Sequence, residues 1–547
     1  MKGKTVAVLS VFVLLSILAV AGSAEAAVVY VNRNAALLKK GVPNGTSWKY
    51  AFHAVREGIN TAVAGDEVWV AQGTYYENIV MKDGAALYGG FGGVETARNQ
   101  RNWKTYVTIL DGNQMGSVIV MGNCSSSATR IDGFTIRNGS GTPGSGGGQL
   151  FGGGIYSSGS AGTVENNNIT GNNANQGGGI ACYGSGSTTI IKNAISGNTA
   201  IGGGGVFIEN RDDSSFISLL YNVIDNNRTA GDPTHEVGGG IYCAFSSHLI
   251  KGNIISFNTT SNSGGGIALQ YGSQVLINNI IEANSSSWMG GGIYADQSAA
   301  EITNNNIIGN TSYGGGGIQT YYGYYSTGLP VVTNNIVAFN SSGITTSDSG
   351  NITLIHNDVF GNTSYDYSGV APGIGDISVD PLFVNYAAGD YHLQPTSPCI
   401  NSGYTIAVDN TWVDMDGEPR VNMTDGIAII DIGADEYYPD TTPPAVTITD
   451  PTNGATGVPI SKTITVTFSE AIRIVPPDAN IVLYDENRHL VVGKTMSVSG
   501  NILTISPSSA LMRNTLYSVS IPVFSIQDMA GNDMAVDKVF FFTTGSK

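Results

Sequence analysis

Across the middle of the chain, a run of glycines followed by Ile or Val returns with a nearly fixed period. The apolar residue falls at Ile155, Ile180, Val206, Ile241, Ile267, Ile293 and Ile318, at intervals of 25, 26, 35, 26, 26 and 25 residues. A second element, Asn-x-(Ile/Val)-x-x-Asn, keeps step with the first. It starts at Asn167, Asn193, Asn222, Asn253, Asn279, Asn305, Asn335 and Asn357 and closes five residues later each time. Two motifs locked to one period mark a solenoid, in which each unit buries its apolar face only against its neighbours.

The content of each unit selects the kind of solenoid. Short patches such as "STTIIKN" and "SQVLINN" are rich in Ile, Val and Thr and lie between Gly and Asn turns, which is strand chemistry. A unit of this length holds two or three short strands, one coil of a parallel β-helix, and is too short for a propeller blade. The Ile column of the asparagine motif (Ile169, Ile195, Ile224, Ile255, Ile281, Ile307, Val337, Val359) is then expected to point inward. Asparagines at equivalent turn positions can pair amide to amide along the axis, and the glycines belong at a corner where neighbouring backbones stack. The direction in which the first Asn of each motif points stays open.

These repeats resemble the GGAI/FxxN repeats of chlamydial polymorphic outer-membrane proteins and, more broadly, the pectin-lyase-like right-handed parallel β-helices. The likeness covers residues 130–365, and it implies architecture rather than activity, since that superfamily includes adhesins, lyases and hydrolases. The expected fold is therefore all-β.

The flanks complete the organisation. Lys2 and Lys4, an apolar stretch from Val6 to Ala21 and the string Ala24-Glu25-Ala26 read as a signal peptide over residues 1–26, implying a secreted or cell-surface protein with no membrane span after cleavage. Residues 27–375 are assigned to the β-helix, its entrance capped by a helix from Lys49 to Ala62. Residues 376–439, with "DPLFVNYAAGDYHLQPTSPCINSG" and "DIGADEY", resemble the choice-of-anchor Q segment that ends such bacterial proteins. "DTTPP" at 440–444 is a linker by composition, and alternating strands over 445–547 predict a β-sandwich. With "FSE" and "DMAGN", that last part resembles the bacterial Ig-like domain of surface-layer proteins.

Charge and cysteines narrow the function classes. A net charge of −17 with 25 basic residues makes nucleic acid a poor partner. Cys182 and Cys243 both follow a triplet's Ile by two residues, with Ile208 in the intervening coil. Two coils separate them by about 9.6 Å, too far for a disulfide, so they are expected as free buried thiols. The glycine runs are not phosphate loops, because no Lys-Ser or Lys-Thr follows a G-x-x-x-x-G.

Two sets of residues are candidates for function. The first is aromatic: alternation places Tyr156, Tyr183, Phe207, Tyr242, Tyr294 and Tyr321 on the outside after each triplet, a stripe able to stack on sugars or simply to cover the sheet. The second is acidic. The oversized coil 203–237 carries Glu209 and Asp212, and Asp225 and Glu282 share one register two coils apart, a spacing compatible with inverting glycoside hydrolysis. Asp528 and Asn532, and Asp414 and Asp416, are candidate calcium ligands, although turn-forming Asp and Asn account for the same strings. The leading expectation is a monomeric adhesin or binder of a polysaccharide or cell-surface glycan. A polysaccharide lyase or glycosidase on the same scaffold is the alternative, and a passive surface component is the third reading.

Overall fold

In the computed structural model, residues 26–547 are described apart from 36–41, 145–146, 185, 212–214, 232–236, 246, 324–325, 327, 348–350, 406–411, 422–428, 476–479 and 547. The signal segment and Asp212 lie outside the described residues. The chain forms two compact units, Met1–Tyr437 and Tyr438–Lys547.

The first unit is a parallel β-helix with three long sheets. Sheet A has 12 strands, from Val28–Val31 to Thr353–Ile355; sheets B and C have 11 each, from Gly73–Tyr76 to Asp358–Phe360 and from Ile79–Val80 to Tyr367–Ser368, among the described residues. Pairing is parallel and in register from rung to rung, as in Ile195↔Ile224↔Ile255↔Ile281 of sheet B and Ile241↔Ile267↔Ile293↔Ile318 of sheet C. These columns point inward and are fully buried, forming one continuous aliphatic core. Cys182 and Cys243 occupy one column on either side of Ile208, and both thiols are free and buried. Burial pushes the Cys182 thiol up to about 12, so it packs as a small apolar group.

Both short turns that bound sheet B are built alike: one residue in the left-handed region, then an inward asparagine. Asn278 (φ 52°) precedes Asn279, and Ala283 (φ 50°) precedes Asn284. The motif asparagines are buried apart from the half-buried Asn362 at the end, which settles their direction. Asn279 Nδ2 donates to Asn305 Oδ1 at 2.9 Å and to the Ile250 carbonyl at 2.8 Å, while its own Oδ1 accepts both the side-chain amide and the backbone N–H of Asn253. Two such ladders run side by side, from Asn167 to Asn357 and from Asn172 to Asn362. They end on carboxylates, with Asn357 donating to Asp376 and Asn362 to Asp366.

The glycine runs act through space as well as conformation. The first glycine of each triplet has positive φ, for example Gly264 at +72° and Gly290 at +63°. The second has no room for a side chain: a Cβ on Gly265 would lie 2.5 Å from the Gly291 carbonyl oxygen of the next rung.

At the entrance the expected helix is shorter than the sequence suggests. A 3₁₀ turn spans Trp48–Tyr50 and the α-helix only Val55–Thr61. Between them Phe52 pairs with the first strand, donating to the Tyr30 carbonyl and accepting from the Asn32 N–H, which forces extended backbone. The helix buries Val55, Gly58 and Ile59 over the first rungs and caps them.

At the exit, Ile374 and Ile377 bridge to the last rungs. Beyond them, Phe383, Tyr391, Leu393, Cys399 and Ile432 pack on the outer face of sheet B.

The second unit is an antiparallel-dominated sandwich. Four strands including Ile464–Phe468 and Ile502–Pro507 face five including Leu516–Ile521 and Lys538–Thr544, around Phe468, Leu503, Val519, Phe540 and Phe542. No described helix is long and apolar enough to cross a membrane.

Replacing Asn279 by Ala removes the acceptor of the Asn253 N–H and the donor to the Ile250 carbonyl, both buried, while the Asn253 amide keeps the Leu219 and Lys251 carbonyls. The expected loss is about 2–4 kcal/mol of stability, read by chemical denaturation of the whole chain. An unchanged midpoint would contradict the ladder's role.

Candidate functional site

On sheet C the aromatic residues take the register expected of them. Tyr156, Ala181, Phe207, Tyr242, Ala268, Tyr294 and Gln319 stand in one outward column. The column closes on itself, however. Phe207 stacks on Tyr242 at 5.1 Å, and Phe151, from the antiparallel hairpin Thr142–Pro143/Leu150–Phe151, stacks on Tyr156 at 5.5 Å. Tyr156 and Phe207 are left 4% and 3% exposed, and the alanines between the rings are buried as well. Tyr156 and Phe207 thus take the covering role of the two expected, with Ala181 and Ala268 leaving room beside the rings. Tyr183 and Tyr294 are half-buried, and so is Tyr242, whose hydroxyl donates to Gln270 Oε1 at 2.6 Å. Of the six, Tyr321 alone is exposed.

Sheet B presents a different surface. Its outward positions form two columns. One runs Asn168, Ala194, Val223, Ile254, Ile280, Asn306, Ile336; the other runs Thr170, Ser196, Asp225, Ser256, Glu282, Ile308, Ala338. Parallel sheets carry apolar residues on both faces when both are covered, and the returning C-terminal segment covers the far half. Phe383, Tyr391, Leu393, Cys399 and Ile432 pack on Ile308, Ile336 and Ala338. The left-handed turn asparagines secure this cover: Asn304 Nδ2 donates to the Gly433 carbonyl, and Asn334 Oδ1 accepts the Tyr404 N–H at 2.7 Å.

Where the cover stops, its edge makes a cavity of about 460 Å³. Phe257, Glu282, Ile308, Tyr386 and Tyr391 line it. Phe257 and Tyr386 are 54% and 44% exposed, so two aromatic faces are open to a ligand. The Tyr391 hydroxyl donates to Glu282 Oε2, and burial, reinforced by that bond, pushes its ionisation far above the ordinary tyrosine range. It therefore acts as a fixed donor, leaving Glu282 Oε1 without a partner among the described residues. A second cavity, about 230 Å³, opens on the other side of the same strand beside Ile254, Ile280, His392 and Asp416.

Residues 93–273 and 234–372 match the right-handed β-helix region family, together just over half of the chain. The chain belongs to the right-handed β-helix family. Residues 440–544 match the bacterial Ig-like domain. No curated protein matches the chain in sequence. Among solved structures, the β-helix is similar to pectate lyase Pel9A, at 14% identity and a TM-score of 0.44, covering 76% of this chain and 98% of that one. The N-terminal part of the bacterial S-layer protein SbsC is also similar, at 18% identity and a TM-score of 0.15, over 19% of this chain and 24% of its own length.

Within the β-helix the acidic candidates separate. Asp225 and Glu282 are aligned through Ser256, as their spacing implied. Only Glu282 lines the cavity; Asp225 accepts the neighbouring Asn226 amide on open surface. Glu209 is paired with Arg211 at 3.0 Å. Asp414, one of the calcium candidates, is buried and takes the turn-forming role. Its Oδ1 accepts the N–H groups of Asp416, Gly417 and Glu418 and its Oδ2 that of Glu436, so backbone donors organise a loop around it. Asp416 accepts from His392 Nε2 at 2.8 Å, and Asp390 accepts from the Nδ1 side at 2.5 Å. Burial opposes the imidazolium, but these two bonds outweigh it and lift His392 to about 9. In the Ig-like domain Asp528 Oδ1 accepts the Gly531 and Asn532 N–H groups, and its Oδ2 accepts the Asn532 side-chain amide. Asp440, Glu470 and Asp528 offer oxygens within 4.8 Å of one another.

Two of the carboxyls that hold the cover are buried. Burial raises Asp358, which accepts from the Cys399 thiol, and Asp435, which accepts the Leu393 N–H, from 3.8 to about 7. A carboxyl whose folded pKa lies above its unfolded value stabilises the fold while protonated, and that contribution disappears as the pH climbs through the folded value. The stabilisation is thus complete below about pH 4 and lost above about pH 7. Hydrogen exchange over residues 379–402, corrected for intrinsic rates, is expected to accelerate between pH 5 and pH 8. A flat corrected profile would contradict this.

Proposed function

We propose that this protein is a secreted or cell-surface glycan-binding β-helix that engages polysaccharide non-catalytically at the edge of its C-terminal cover. The observation carrying this reading is the cavity in which the open rings of Phe257 and Tyr386 flank a single carboxylate, Glu282, held by Tyr391. Aromatic faces complement the apolar face of a pyranose ring, and a carboxylate oxygen accepts from its hydroxyls. The site also stands on a rigid lattice of rungs, which limits the ordering cost of binding. Glycoside hydrolysis needs two carboxyl groups facing one bond, and Glu282 is the only carboxylate among the residues lining this cavity. The apolar signal stretch at the N-terminus supports export.

A glycan array followed by calorimetry tests this reading. Glu282→Gln and Phe257→Ala are each expected to weaken glycan binding by about tenfold, in line with about 1–2 kcal/mol for a charged hydrogen bond or an aromatic contact. Tyr321→Ala, on sheet C, should leave binding unchanged. The opposite pattern would move the site to sheet C, and release of shortened or unsaturated products from any bound polysaccharide would overturn the non-catalytic reading.

A further inference from the structure

The segment covering sheet B carries a set of metal-ligating groups apart from the Glu282 cavity. In its strand Asp390–Leu393 the side chains alternate, so that Tyr391 and Leu393 are buried against sheet B and His392 faces out. Two further stretches of the cover come to the same place, each fixed by backbone hydrogen bonds. Asp414 gathers the N–H groups of Asp416, Gly417 and Glu418 into a tight loop, and Asp416 there meets His392. Asp435 is held beside the strand by the Leu393 N–H, which donates to its Oδ2 at 2.8 Å. His392, Asp416 and Asp435 thereby offer one nitrogen and two carboxylate oxygens within 4.8 Å of one another.

A plain ion pair accounts for the imidazole but not for Asp435. Both ring nitrogens of His392 are used by Asp390 and Asp416. Asp435 is a separate observation: the residue is only 4% exposed, it faces the imidazole, and its Oδ1 accepts no hydrogen bond among the described residues. A buried carboxylate oxygen without a donor is costly, and a cation placed before it removes that cost. The contact on the far side of the ring points the same way. A carboxylate on Nδ1, here Asp390 at 2.5 Å, fixes the orientation of an imidazole whose Nε2 is then the ligand atom.

We propose that His392 Nε2, Asp416 and Asp435 form a site for a divalent transition-metal ion of the zinc class, with Asp390 as the positioning carboxylate. The donor set selects the ion. Calcium takes six to eight oxygens, but both oxygens of Asp414 are used by backbone N–H groups and Asp435 Oδ2 by that of Leu393. One imidazole with two carboxylates suits zinc and its neighbours. Ligand atoms on a tetrahedral zinc stand about 3.3 Å apart, against 2.8 Å between His392 Nε2 and Asp416 Oδ2. Both side chains are about half exposed, at 47% and 46%, and free to open by that small step. The ion takes the place of the proton between them, which leaves to solvent. His392 and Asp416 also line the cavity of about 230 Å³ beside Ile254 and Ile280, so the remaining coordination position faces a space able to hold water or an oxygen ligand. The bound ion ties three stretches of the cover to one another.

Calorimetry of the chelator-treated full chain with zinc, calcium and magnesium chlorides tests the site. Zinc is expected to bind saturably at one equivalent, and calcium and magnesium at least about a hundredfold more weakly. His392→Gln and Asp435→Asn should each weaken zinc binding by about 10–100-fold. Asp390→Asn should weaken it by about tenfold, with Asp390→Glu recovering part of the loss. Glu470→Gln, in the acidic group of the Ig-like domain, should change nothing. X-ray absorption of the zinc-loaded wild-type chain separates ligation from any effect of the substitutions on folding: one imidazole and otherwise oxygen donors are expected around the ion. Absence of saturable zinc binding, equal affinity for calcium, full zinc affinity in His392→Gln, or a spectrum without imidazole would each overturn the site. The glycan-binding reading stands or falls separately, on the Glu282 variants.

Discussion

The amide of one asparagine hydrogen-bonded to the amide of the next is the interaction on which this architecture depends. A parallel β-helix must turn sharply out of each strand, and a sharp turn leaves backbone groups facing inward that a fatty core cannot satisfy. Each ladder asparagine serves the rungs on both sides at once. Asn279 donates to Asn305 and to the Ile250 carbonyl, and accepts from the backbone and side chain of Asn253. Because each amide points to the next, the arrangement runs in one direction and needs an acceptor at its end, which Asp376 and Asp366 supply. With the turns fixed in this way, the outward columns of sheet B lie in register, and any surface they present repeats at the rung spacing.

The same scaffold produces two unlike outer faces. On sheet C, rings lean over alanines and bury one another, so an aromatic-rich surface becomes a sealed veneer. On sheet B the apolar column is too long for the segment that covers it. The C-terminal chain packs on Ile308 and Ile336 and leaves Val223 and Ile254 to solvent. The cavity at Glu282 arises at that boundary, from the solenoid on one side and a returning strand on the other. Burial raises the carboxyls of Asp358 and Asp435, which hold that wall.

What could be read from the sequence was whatever repeats locally. Glycine runs and asparagine motifs gave the period and the inward columns, and the placing of Cys182 and Cys243 on either side of Ile208 followed from counting alone. Burial of Tyr156 and Phe207 could not be read this way, because Phe151 reaches them from an inserted hairpin outside the repeat. Nor could the pairing of Glu282 with Tyr391, which brings together residues 109 positions apart. A signal for the covered face was nevertheless present. In "NVID", "NIIS", "NIIE" and "NIVA" two apolar residues follow each other where strand alternation sends one of them outward. The helix at the entrance came out too long because the pairing of Phe52 with the first strand is a tertiary contact that helix propensity does not register.

The central claim is that function lies on sheet B, where the cover ends. A crystal structure of the protein with an oligosaccharide selected on the glycan array tests it most directly. A sugar ring against Phe257 and Tyr386, with a hydroxyl on Glu282, is the predicted result. Rings stacked on Tyr294 or Tyr321 of sheet C, with the Glu282 cavity empty, would contradict it.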